Sequence, residues 1–309
     1  MPSCPVELQD VTMSFGAVSA IHGVSLSVAQ GEMFGLIGHN GAGKTTLFKL
    51  MLGLLAPTSG TIKVGGVSTH AGDFRDVRRR IGYLPESFVT YDNLSGLEVV
   101  RLFADLKKVP RSACADVLAQ VGLSDAATRR VHTYSKGMRQ RLGFAQVLLG
   151  SPDLIFLDEP TNGLDPDGIH HFYALLRAAQ ARGTTIVITS HILAEIQDRV
   201  DRLVILDSGG IAAQGTLAQL RAQRVLPSVI EVTVRSGQLE TIEAALASWS
   251  ALSLRSAGDR LYVSCPSTQK VAVLARLAPL AGAMTDLVIH EPSLEDLFLG
   301  VGGAHVGKH

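Results

Sequence analysis

The stretch Gly38-His39-Asn40-Gly41-Ala42-Gly43-Lys44-Thr45-Thr46 fits the spacing G-x-x-x-x-G-K-[ST] at every fixed position. Such a loop does phosphate chemistry. Its glycines let backbone N–H groups turn inward with no Cβ in the way, and the helix that follows adds the positive end of its dipole. Lys44 is placed to reach the β- and γ-phosphates of a nucleotide, and the Thr45 hydroxyl to hold Mg²⁺. A second pair of chemical groups, Asp158-Glu159, closes the apolar run Leu154-Ile155-Phe156-Leu157. Carboxylates at the carboxyl end of a strand buried on both faces sit where open α/β sheets bind ligands. There Asp158 is expected to hold Mg²⁺ through water, and Glu159 to orient or deprotonate an attacking water. The run Thr184 to Thr189 delivers Ser190-His191 to the same edge, where His191 either hydrogen-bonds the γ-phosphate or serves structurally.

These groups need a scaffold, and the surrounding pattern supplies one. Met33 to Ile37 reads as a buried strand entering the loop, and Leu47, Leu50, Met51 and Leu54 as the apolar face of the helix leaving it. Alternation at Val6, Leu8 and Val11, and again at Val24, Leu26 and Val28, predicts half-buried strands. Phe15 lies between them, placed to stack on an adenine or to pack in the core. Pro57 to Gly60 is a turn, Thr61 to Val64 a short strand, and a basic segment ending in Arg78, Arg79 and Arg80 reads as a solvated helix end. From Glu86 to Arg141 the texture becomes helical, with helices expected over Gly96 to Lys108 and Ala113 to Val121. Ser135 is expected to cap a further helix whose free N–H groups would suit an anion. After the turn Gly163-Leu164-Asp165-Pro166 comes a helix from Gly168 to Gln180.

A second unit follows the linker at 223–228. Strands at Val229 to Val234, Leu252 to Arg255, Leu261 to Cys265 and Thr285 to His290 alternate with helices at Leu239 to Ala247 and Gln269 to Leu277. The order β-α-β-β-α-β predicts a ferredoxin-like domain. Pro292 to Leu297 should open a terminal helix with Ser293 and Asp296 at capping-box spacing, and 301–309 a disordered tail.

Composition narrows the class. The 309 residues suggest about two domains, and 28 basic against 28 acidic residues leave no global field for nucleic acid or an acidic membrane. No apolar run reaches the ~20 residues of a spanning helix, and the start lacks a signal-peptide pattern. Cys4, Cys114 and Cys265 are scattered, and His170, His171, His305 and His309 lack partners at ligand spacing. A cytoplasmic chain without its own soft-metal site is expected.

The loop, the Asp158-Glu159 pair, Ser190-His191 and Tyr134-Ser135-Lys136-Gly137-Met138-Arg139-Gln140-Arg141 together resemble the nucleotide-binding subunits of ABC transporters over residues 1 to about 222. The resemblance implies an α/β fold: an ABC-type P-loop ATPase domain with a parallel core sheet, an antiparallel β subdomain and a helical insert at about 86–145. The 229–300 domain would then be a regulatory or dimerising accessory. It also implies ATP and Mg²⁺ as ligands, hydrolysis coupled to transport, a separate membrane permease, and a homodimer peripheral on the inner membrane face. Ser135 and Gly137 would contact the ATP bound to the partner copy, and Asp165 would lie in the loop crossing the dimer. Phe15 and His191 match the adenine-stacking and switch positions. Glu86 stands where most members carry Gln; it can approach Mg²⁺ through an oxygen but lacks the amide donor. Tyr134, Lys136 and Met138 replace the commoner Leu, Gly and Gln.

Within that family, Gly38 to Thr46, Ile81 to Glu86, Arg129 to Gly143 and His290 to Leu297 resemble the ATPases of nitrous-oxide reductase maturation transporters. Those work with a permease and a periplasmic partner in copper-sulfur cluster assembly. The alternative is the ATPase of a drug, lipid or polysaccharide exporter. A soluble ABC-type ATPase acting on nucleic acid or ribosomes is disfavoured by the single nucleotide unit and the missing basic patch.

Overall fold

Strand β1 (Val6–Phe15) pairs antiparallel with β2 (Val18–Val28), and both bury the expected alternating residues. The step from Leu8 to Val11 is three residues because the ladder is irregular there and Asp10 takes φ 48°. The computed structural model describes residues 4–223, 227–247, 249 and 251–290, which divide into the units Met1–Leu217 and Ala218–His309.

All five residues of β3 (Met33–Ile37) are buried, as a central parallel strand requires. The loop then leads into α1 (Lys44–Met51), which buries Leu47, Leu50 and Met51. Leu54 does not share that face. The helix caps at Leu52, Gly53 turns the chain at φ 65°, and Leu54 is left exposed. Strands β4 (Ser59–Val64) and β5 (Val67–Ser68) complete an antiparallel sheet of order β2-β1-β4-β5. The basic segment forms α2 (Phe74–Arg79), where Arg79 pairs with Asp76 at 2.7 Å and Arg78 lies over the Phe74 ring.

After β6 (Ile81–Leu84) come the helices α3 (Gly96–Lys107), α4 (Ala113–Gln120) and α5 (Lys136–Leu148). Ser95 and Glu98 form a capping box at the start of α3. Its buried stripe is Gly96, Val99, Val100 and Ala104, and Leu106 points to solvent. Lys107 anchors the insert through hydrogen bonds from Nζ to the carbonyls of Gln146 and Val147, and burial pushes its pKa down to about 8.

The remaining elements of this unit are β7 (Leu154–Leu157), α6 (Pro166–Ala181), β8 (Thr185–Ser190), α7 (Leu193–Ile196), β9 (Arg202–Asp207) and β10 (Gly210–Gly215). They complete a six-stranded sheet of order β10-β9-β3-β8-β7-β6, parallel except for the β9–β10 pair. The α7, β9 and β10 elements are additions to the sequence expectation, though the buried run Leu203 to Leu206 carries a strand signal. Phe48 of α1 meets Phe156 of β7 edge to face at 5.4 Å, locking the helix onto the sheet.

Helix α8 (Leu217–Gln223) precedes the second sheet. That sheet contains β11 (Ser228–Val234), β12 (Ser253–Ala257), β13 (Arg260–Cys265) and β14 (Met284–His290), with α9 (Leu239–Leu246) and α10 (Lys270–Leu277) between them. The all-antiparallel order β12-β13-β11-β14 is the arrangement a β-α-β-β-α-β chain makes in a ferredoxin-like fold. Ile230, Val232 and Val234 pack with Ile242, Leu246, Val273 and Leu277 in its core. Glu231, on the alternate face of β11, binds Arg260 at 2.7 Å and His290 at 2.8 Å. The terminal helix with Ser293 and Asp296, the tail, and Arg224, Val225 and Leu226 of the linker lie outside the described residues.

Candidate functional site

The loops after β3, β7 and β8 leave neighbouring strands at the same carboxyl edge of the sheet. Their side chains meet in a cavity of about 230 Å³ lined by Ala20, His39, Asn40, Gly41, Gly43, Lys44, Thr45, Thr46, Glu86, Asp158, Glu159 and His191. A larger cavity of about 390 Å³ lies around Arg80, Asp153 and Arg182, but it contains none of the loop or strand-end groups.

The loop glycines are dictated by space. A Cβ at Gly38 would come within 2.6 Å of the Leu206 carbonyl oxygen and 2.9 Å of the Ala42 Cβ. Gly43 takes φ 102°, and a Cβ there would meet Ile21 at 2.6 Å. The resulting cradle delivers Lys44 to a buried position, where Nζ donates to the Gly38 carbonyl at 2.6 Å and stands 3.4 Å from Glu159 Oε1. A buried ammonium keeps its charge only with such partners, and a phosphate oxygen offers it a stronger one. His39 bridges the loop to the end of β9: Nδ1 is 2.7 Å from the Asn40 carbonyl and Nε2 is 3.1 Å from Asp207 Oδ1. The Asn40 contact first, and Asp207 second, raise the His39 pKa above its ordinary 6.5.

The two adjacent carboxylates point different ways. Asp158 accepts from Thr45 Oγ1 at 3.3 Å and from Thr189 Oγ1 at 2.7 Å. Burial raises its pKa, opposed by those two hydroxyls and reinforced by Glu159 and Glu86. Glu159 takes φ 47°, a left-handed conformation rare outside glycine, and its N–H donates to Thr189 Oγ1 at 2.9 Å. Its Oε2 accepts from His191 Nδ1 at 2.8 Å, while buried Oε1 has no hydrogen bond and faces only Lys44.

The donor set fits Mg²⁺. Thr45 and Asp158 bring two hard oxygens together, with exposed Glu86 on the same rim. No group of three or more His, Cys, Asp or Glu among the described residues could cage a metal by itself. Mg²⁺ needs no such cage, because it takes one or two protein oxygens and completes its shell with phosphates and water. Copper, by contrast, finds no soft-ligand cluster among those residues.

Four expected contributors, Ser135, Gly137, Phe15 and Asp165, stay apart from the cavity. Ser135 caps α5 by accepting from Met138 N–H at 3.2 Å, and Gly137 packs beside Gly163, yet neither lines it. Phe15 ends β1 half exposed and is replaced on the lining by Ala20 of β2. Asp165 caps α6 by accepting from Gly168 N–H at 2.8 Å. Two residues outside every motif, Thr189 and Asp207, do not line the cavity but hydrogen-bond residues that do. The one available signal for Thr189 was a hydroxyl directly after the apolar run Ile186 to Ile188 of a buried strand.

A family model described as ABC transporter matches residues 21–162. An uncharacterised ABC transporter ATP-binding protein of Nostoc sp. is 37% identical, the match covering 91% of this chain and 83% of that one. A daunorubicin resistance ATP-binding protein of Streptomyces coeruleorubidus is 32% identical, over 98% of this chain and 97% of its own. Among solved structures, a dimeric ATP-binding cassette in a post-hydrolysis state with ADP and Pi superposes with a TM-score of 0.64 at 26% identity. That match covers 69% of this chain and 98% of that one.

Proposed function

This chain belongs to the ATP-binding proteins of ABC transporters and is an ATPase, and we propose that Lys44, Thr45, Asp158, Glu159 and His191 carry its hydrolytic step. The observation that supports this most is the convergence of those five side chains on one cavity at the carboxyl edge of β3, β7 and β8. Loop amides from Gly41 to Thr46 and Lys44 Nζ hold the β- and γ-phosphates. The Thr45 hydroxyl and the Asp158 carboxylate, with Glu86 on the rim, would hold Mg²⁺, which when bound neutralises phosphate charge. Glu159 accepts a proton from the attacking water, and His191 Nδ1–H fixes the orientation of its carboxylate.

Cassettes of this family act as dimers with membrane permeases. In our reading Ser135 and Gly137 close the nucleotide site of the second copy, which accounts for their distance from the cavity of their own chain. Phe15 receives the adenine. Residues 1–222 form the nucleotide-binding domain, 223–228 a linker and 229–300 a regulatory or dimerising accessory. No helix among the described residues is long and apolar enough to cross a membrane, so the permease would be a separate chain and this one peripheral on its cytoplasmic side.

For cargo, we assign the permease to copper-sulfur cluster maturation of nitrous-oxide reductase, with a periplasmic partner. The support is the set of stretches Ile81 to Glu86, Arg129 to Gly143 and His290 to Leu297. A drug-exporter role is the second reading, favoured by the near full-length match to the daunorubicin resistance protein. Deleting the chain in its native host separates them. Loss of the reductase's copper-sulfur centre with unchanged drug tolerance supports the first, and the reverse supports the second.

A further inference from the structure

Strand β8 is buried along its whole length, and Thr189 within it is fully buried among Ile186, Val187 and Ile188. A hydroxyl in such a place is unfavourable unless its hydrogen bonds are made. Here they are made to both members of the carboxylate pair: Thr189 Oγ1 donates to Asp158 Oδ1 at 2.7 Å and accepts from Glu159 N–H at 2.9 Å. We infer that Thr189 is a positioning residue for hydrolysis, setting the opposed directions of Asp158 and Glu159; the inference rests on the site reading above.

The backbone explains why a side chain is needed. The ladder between β7 and β8 ends at the pair Leu157 and Ile188; beyond it Asp158 N–H is taken by the Leu84 carbonyl of β6 at 2.9 Å, whereas Glu159 N–H is received by the Thr189 hydroxyl. At that point Glu159 turns to φ 47°, which frees its carboxylate to face Lys44 and His191 while Asp158 faces Thr45. Thr189 is the one side chain among the described residues that hydrogen-bonds both residues of the pair. One hydroxyl offers one donor and two acceptor lone pairs, which suits both tasks. Valine has the same shape and can do neither.

The experiment compares Thr189→Val, Thr189→Ser and Glu159→Gln in the full chain. Thr189→Val should lower kcat by about 10- to 100-fold and raise the Mg²⁺ concentration needed for half-maximal hydrolysis, while Thr189→Ser keeps most of both. ATP affinity measured in EDTA should stay unchanged in Thr189→Val and Thr189→Ser, since neither touches the loop. Wild-type turnover and Mg²⁺ response in Thr189→Val overturns the inference, as does a Thr189→Ser variant impaired as deeply as Thr189→Val. If Thr189→Val does not fold, Thr189→Ala against Thr189→Ser makes the same comparison. Full activity in Glu159→Gln would instead overturn the underlying site reading, whatever position 189 does.

Discussion

His191 Nδ1 lies 2.8 Å from Glu159 Oε2, a contact that ties the end of β8 to the end of β7 at the mouth of the site. A carboxylate held on one oxygen by an imidazole leaves the other to receive a proton from water. His191→Ala should therefore lower kcat by about 10²-fold through misplacement of Glu159, with little effect on ATP affinity. The two groups act as one unit, so the double variant with Glu159→Gln should be no slower than Glu159→Gln alone. Multiplicative losses in that cycle would show independent roles.

The loop at the edge of the helical insert divides into a core part and a surface part. Phe88 packs on Phe103 at 6.1 Å between ring centres and lies against Gly143, where a Cβ would be 2.8 Å from its ring. Phe88 is thus tied to the insert, whereas Tyr91 and Val89 beside it are 65% and 85% exposed. Phe88→Ala should cost about 2 kcal/mol and lower the melting temperature by several degrees. Val89→Ser with Tyr91→Ser should leave melting and basal hydrolysis alone and reduce co-purification with the permease. Permease recovery unchanged by the surface pair would place docking elsewhere.

That division shows where sequence stops being legible. The phosphate loop reads out directly because phosphate geometry constrains every fixed position, and Gly38 and Gly43 have no room for a Cβ. Strands read out because burial on one or both faces imposes a period, and the second unit's topology followed from strand order alone. The exact stripe of α3 is less legible, since packing on α4 and α5 buries Val99 and leaves Leu106 exposed. Thr189 and Asp207 stayed hidden because their partners are 31 and 168 residues away, and no local spacing encodes such a contact.

Both ring nitrogens of His39 face acceptors, the Asn40 carbonyl and Asp207 Oδ1, and only the imidazolium can donate to both. Its pKa is therefore raised in the folded chain. A raised folded value means that the stabilisation is complete below the unfolded pKa of about 6.5 and is lost as pH rises through the folded one. The ring is 51% exposed, so solvent keeps the effect small. Asp207→Asn should move the His39 pKa down toward 6.5 in an NMR titration of the ring protons. An unmoved titration would show that the Asn40 carbonyl alone sets it.

Glu159→Gln should separate nucleotide binding from hydrolysis. The loop amides, Lys44, Thr45 and Asp158 remain, so ATP affinity survives, whereas Gln cannot take a proton from water and the step slows by about 10²- to 10⁴-fold. Lys44 also loses the carboxylate that stands 3.4 Å from it, which leaves the ammonium more available to phosphate. Because the family works as dimers, slow cleavage should trap the variant as an ATP-bound dimer. Lys44→Ala should behave in the opposite way, since it removes the buried cation assigned above to the β- and γ-phosphates, and it should stay monomeric with weak binding. Light scattering of both variants with Mg-ATP measures the difference. A Glu159→Gln chain that turns over near the wild-type rate would move the proton acceptor to another group, and His191, already within hydrogen-bond distance, would be the first to substitute.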